Sequence, residues 1–169
     1  MTRGEQTSSV LYAFFESVKY VGHLFPIALL RVFLGYFYIN QALTRYGSDF
    51  LDQPQLAEAA MHWLARSSAP LWYQSLIQTV IVPNWKLFAI GITFSELAIG
   101  VSFLIGYLVR PMSLVGFLLS LNMLWLYGPE TADYYRTLIA IFLTLAWLGA
   151  GRCFGLDYFF YKRQRGIWW

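Results

Sequence analysis

Ionisable side chains set inside long apolar runs are the places where this chain could do chemistry. Glu96 stands near the middle of the run 88–110, FAIGITFSELAIGVSFLIGYLVR, while Arg31 and Arg136 stand inside two others. A lone carboxylate at membrane depth costs at least about 2.5 kcal/mol unless it is paired, protonated or wetted. A carboxyl group can take and give protons, and a guanidinium offers a planar fork of donors to an oxyanion. Two arrangements accommodate these groups: an Arg31–Glu96 pair that only fixes helix packing, or a polar pocket, lined by both arginines and Glu96, that opens to a substrate. At about 1.5 Å rise per residue, Arg31 lies roughly 10 Å from the inner end of its run and Glu96 roughly 13 Å from the outer end of its own. In a hydrocarbon core about 30 Å thick their depths then differ by about 7 Å, so the two are expected to meet. Arg136 lies nearer the outer face.

The elements that must position these groups are membrane helices. Of 169 residues, 58% are hydrophobic and 12% charged, against about a quarter charged in a soluble domain. The length suits one membrane domain over 1–169. The expected fold is an all-α integral membrane protein, a four-helix bundle with spans at 24–43, 88–109, 112–127 and 132–151. Residues 9–22, SVLYAFFESVKYVG, have an amphipathic pattern; they form either an interfacial helix or a cytosolic extension of the first span. The connection 46–86 holds short external helices, and its stretch between Pro70 and Pro83 is too short to cross. Arg110-Pro111 reads as the turn between the second and third spans, and Gly128-Pro129 as the break before the fourth. Arg31, Gly35, Tyr38 and Arg45 share one stripe of the first span, which faces the bundle.

Arg3, Lys19, Arg110, Arg152, Lys162, Arg163 and Arg165 fall on one side, against Arg45, Arg66 and Lys86 on the other. That bias puts both termini and the tail 152–169 in the cytoplasm and 46–86 outside, with Trp168 and Trp169 returning to the interface. Near this tail, Asp157 is expected to pair with Arg152 or cap the last turn. The bases are scattered and not interleaved with aromatics in a run, so nucleic acid is excluded as a partner. Cys153 is the sole cysteine, which excludes an intrachain disulfide. His23 and His62 make no convincing haem or metal site, and no nucleotide or flavin fingerprint is present.

Three pieces occur in order: LLRVFLGYFYINQALTRY, then ITFSELAIGVSFLIGYLVRPMSLVGFLL, then YYRTLIAIFLTLAWLGAGRCFGLD. Together they resemble the DoxX/DoxD membrane family over roughly 27–157, and the last piece is most similar to the DoxD branch. The resemblance implies a four-helix protein of the prokaryotic cytoplasmic (inner) membrane. It also implies the membrane subunit of a thiosulfate:quinone oxidoreductase, with quinone as electron acceptor and a DoxA-like or other membrane-complex subunit as partner. Self-association into a homo-oligomer is a further arrangement it allows. On that reading Arg45, Arg136 and Lys86 would gather a sulfur anion at the outer face. Tyr38, Gln41 and Trp125 would contact the quinone, and Glu96, with Arg31 and Arg136, would serve catalysis by handling its protons. The alternative is a non-catalytic accessory subunit of a larger respiratory complex. A transporter fits less well, since no internal repeat supplies two alternating halves.

Overall fold

A computed structural model describes residues 25–67, 69–127 and 129–163; the expected 9–22 helix and the last residues of the tail, with Trp168 and Trp169, lie outside these. The chain folds into helices α1 (Phe25–Tyr46), α2 (Gln55–Leu64), α3 (Leu71–Leu76, prolonged by a π-helical turn Ile77–Ile81), α4 (Trp85–Ile105), α5 (Val109–Tyr127), α6 (Ala132–Leu148) and α7 (Asp157–Arg163). No strand occurs among the described residues. Helices α1, α4 and α5 are long and apolar enough to cross a membrane. Their outer faces carry large exposed apolar side chains such as Phe33 and Phe94, 64% and 66% exposed. Continuous apolar surface of this kind suits lipid rather than water.

The helices pack as two pairs, α1 on α4 and α5 on α6, joined along α4 and α5. The first pair meets through glycine. A methyl group on Gly35 would lie 2.9 Å from the Leu104 backbone nitrogen, and one on Gly100 would lie 2.8 Å from that of Ile39. Neither backbone can yield without parting the helices, so small residues set this contact. Gly100→Leu is expected to destabilise the protein by about 1–3 kcal/mol through overpacking. Gly91→Leu on the same helix, where an added Cβ meets nothing within 4 Å, is expected to be neutral. Thermal unfolding of both variants in detergent decides it; equal melting temperatures would show that α1 and α4 do not rely on this approach.

Between the pairs lies one apolar core, with Ile99, Phe103, Val109, Phe142 and Leu145 fully buried. A second cluster docks α2 and α3 on the end of α5, through Ala60, Leu64, Tyr73, Ile77 and Leu126. There the Tyr73 hydroxyl donates to the Asn122 carbonyl at 3.1 Å. Residues 46–86 thus cap one end of the bundle.

The turn between α4 and α5 differs from the sequence expectation. Helix α4 stops at Gly106, whose φ of 71° is left-handed and closes the last turn through its N–H to Ser102. Glycine reaches that conformation without the penalty of a Cβ, which makes Gly106 the stop. Arg110 and Pro111 instead lie inside the first turn of α5, where the missing proline N–H costs nothing. Leu108 also has a positive φ, 55°. It is held by Asp157, which accepts N–H bonds from Leu108 at 2.8 Å and Val109 at 3.2 Å. Asp157 therefore caps the start of α5. Burial pushes its carboxyl up, against the opposing pull of those two N–H groups and of Arg31 and Arg110.

Candidate functional site

Arg31 and Glu96 do not meet. The Arg31 guanidinium, fully buried, donates to the carbonyls of Ala150 at 2.8 Å, Cys153 at 3.2 Å and Phe154 at 3.1 Å. It also abuts Gly106 and Gly155, where an added Cβ would strike its Nη1. Gly106 is ten residues beyond Glu96 on α4, which is about 15 Å at a 1.5 Å rise. The expected depths assumed that both runs fill the same 30 Å slab in register. The Gly35–Gly100 contact instead slides α1 so that Arg31 stands level with the α4–α5 turn. Arg31 is thus a latch that ties residues 150–154 across the end of the bundle opposite 46–86.

Glu96 pairs with Arg45, Nη2 to Oε1 at 3.2 Å, the two side chains being 24% and 6% exposed. Arg45 also lies over the Phe50 ring, 5.0 Å from its centre. The stripe on α1 explains the exchange of partners. Arg45 is fourteen residues, four helical turns, beyond Arg31 on the same face, and antiparallel packing brings it one turn from the level of Glu96. The pair opens onto a narrow cleft with a cavity volume of about 40 Å³. Helix α1 lines it with Phe37, Tyr38, Gln41 and Arg45, α4 with Ile92 and Glu96, α5 with Leu119, Ser120 and Met123, and α6 with Tyr134, Tyr135 and Leu138. Glu96 Oε2 is buried and has no hydrogen-bond partner. A buried acceptor left bare costs about 1–3 kcal/mol and more when charged, and this oxygen is free to accept from a donor that enters the cleft.

The residues expected to act together are divided by this geometry. Tyr38 and Gln41 do line the cleft beside Glu96, with the Tyr38 hydroxyl next to Ser120. Trp125 does not; it stands edge-on to Trp72 and Tyr73, in the cluster that docks α3. Arg136 is removed too. It pairs with Asp133 at 3.0 Å, one helical turn away, with side chains 67% and 95% exposed, and a surface pair of this kind contributes little. Lys86 is exposed in the first turn of α4 and outside the cleft. Arg136 and Lys86 are thus absent from the lining of the cleft, and the single guanidinium there is already paired with Glu96.

Tyr134 and Tyr135 entered the cleft without being expected there. Their signal was available: Tyr135 stands three residues before Leu138 and seven before Phe142, on the stripe of α6 that turns inward. Tyr135 stacks on Tyr127, with ring centres 5.7 Å apart and planes 12° from parallel. This gives the cleft a flat aromatic wall. Comparison with protein-family models, with curated proteins and with solved structures returns no match.

Proposed function

We propose that this chain is a DoxX/DoxD-type subunit of the prokaryotic inner membrane that handles a quinone in the Glu96 cleft, within a thiosulfate or related sulfur-anion:quinone oxidoreductase. Helix α6 serves as its fourth span: its 17 residues cover about 25 Å, and it packs along α5 for its length. The charge bias supports cytoplasmic termini. The observation that carries the functional reading is the bare Glu96 Oε2 in an aromatic cleft, with Tyr38 and Gln41 beside it. A quinone carries carbonyl acceptors on a flat ring. Tyr38 and Gln41 can donate to those carbonyls, the tyrosine rings can flank the ring, and Glu96 can pass protons as the ring is reduced. In the overall exchange two thiosulfate ions become one tetrathionate and release two electrons, which with two protons convert quinone to quinol. The anion half falls to a partner subunit, because the one guanidinium that lines the cleft, that of Arg45, is already held by Glu96.

The test is equilibrium binding of a short-chain quinone to the purified protein in detergent. Gln41→Leu and Tyr38→Phe each remove one donor and are expected to weaken binding about fivefold, the equivalent of about 1 kcal/mol. Trp125→Phe and Arg136→Gln, outside the cleft, are expected to leave it unchanged. Absence of binding to the unaltered protein would overturn the quinone reading and leave the accessory-subunit role.

A further inference from the structure

The two ends of the bundle are built differently, and the difference bears on where Glu96 can exchange protons. Toward residues 47–54 the cleft is rimmed by Arg45, whose side chain is 24% exposed, and by Tyr134, which is 47% exposed. Toward the other end stands a plug without a polar path. Ile99, Phe103, Phe142, Leu145 and Val109 have no exposed surface, and the Phe142 ring fills the space over Gly116. The buried hydroxyls in that half are spoken for: Ser113 donates to the Val109 carbonyl at 2.7 Å and Ser102 to the Tyr107 carbonyl. Below the plug, Nη1 and Nη2 of Arg31 and both oxygens of the Asp157 carboxylate are engaged by backbone groups, and Arg31 Nε is buried without a partner.

We infer that the Glu96 cleft exchanges water and protons with one side of the membrane only, the side bordered by residues 47–54. Among the described residues, the groups that face Glu96 are Arg45 and Tyr38 from α1, Tyr127 from α5, and Tyr134 and Tyr135 from α6. Arg45, Tyr127, Tyr134 and Tyr135 lie level with Glu96 or between it and that rim, while Tyr38 stands on the inner side with its ring packed on Phe142 of the plug, so a chain of water and side chains can run outward and stops inward at that packing. Arg45 is the gatepost of this path, since it must hold Glu96 and border the solvent together. The inference rests on the spanning-helix reading; its functional consequence rests on the quinone reading as well. The two protons that accompany the two electrons onto a quinone, the electrons being drawn from the sulfur anion, would come from the 47–54 side alone.

The test is side-selective labelling with a membrane-impermeant thiol reagent in sealed vesicles of known orientation. The full-length chain carries Cys153→Ser and one new cysteine at a time. Gln53→Cys and Leu156→Cys mark the two sides. Gln41→Cys and Met123→Cys, on different helices of the cleft and both partly exposed, are expected to react from the Gln53 side and to show complete loss of labelling from the Leu156 side. Ser113→Cys, in the plug, is expected to react from neither. Labelling of Gln41→Cys or Met123→Cys from the Leu156 side, from both sides, or from neither side would overturn the inference. Slower labelling of Gln41→Cys in the presence of a short-chain quinone reports on the ligand alone. Failure of that protection counts against the quinone reading and leaves the sidedness standing.

Discussion

Arg31→Gln is expected to lower the stability of the folded protein by about 3–5 kcal/mol. The wild-type guanidinium is fully buried and satisfies three carbonyls, those of Ala150, Cys153 and Phe154. Glutamine offers one amide and cannot reach all three, so two carbonyls lose their donors in a site closed to water. The positive charge that faces Asp157 is lost as well, although that carboxylate keeps its two N–H donors on α5. Arg31→Lys restores the charge without the planar fork and is expected to recover only part of the loss. The measurement is thermal unfolding in detergent, read together with proteolysis of the tail. Loss of the latch exposes residues 150–163 to cleavage before the rest of the bundle opens. A variant that melts with the wild type and keeps its tail protected would show that this end is held by apolar packing instead.

The sequence carried most of the helical scaffold because apolar runs of this length have few other solutions. The runs around Arg31, Glu96 and Asn122 coincide with α1, α4 and α5 to within a few residues. Burial of the Arg31, Gly35, Tyr38 stripe also followed directly from helical spacing. What escaped was the longitudinal register of one helix against another. Hydropathy reports how long a span is, but not how far it slides against its neighbour. Here that offset is decided by two glycines, Gly35 and Gly100, whose close approach no single-helix pattern contains. A slip of about five residues from the expected register sent Arg31 to the α4–α5 turn and brought Arg45 to Glu96. The same limit explains Asp157: nothing local to it announces that its carboxylate will cap a helix that begins 48 residues earlier. Trp125 and Arg136 were misplaced for a plainer reason. Each is level with the cleft, but a turn of helix rotates them onto α3 and into solvent.

The register also determines which charges are energetically coupled, and a pair of double-mutant cycles distinguishes the two arrangements. Arg45→Gln strands the Glu96 carboxyl, whose side chain is 6% exposed, in a cleft that offers it no other cation. That change is expected to cost about 3 kcal/mol, at the lower edge for a broken buried pair because Arg45 is partly wetted. Glu96→Gln costs less, since Arg45 can turn outward to water and still cover Phe50. With both replaced, two neutral amides can bond to each other. The combined loss is therefore expected to fall short of the sum of the singles by at least about 1 kcal/mol, within the range for residues in contact. The cycle of Arg31→Gln with Glu96→Gln is expected to be additive within about 0.5 kcal/mol, because sites separated by more than about 10 Å without shared partners do not couple. All variants are compared by thermal unfolding in one detergent. Coupling in the Arg31 cycle with additivity in the Arg45 cycle would reverse the register of α1 against α4. The Arg45–Glu96 cleft, together with the ligand and proton path assigned to it, would then have to be abandoned.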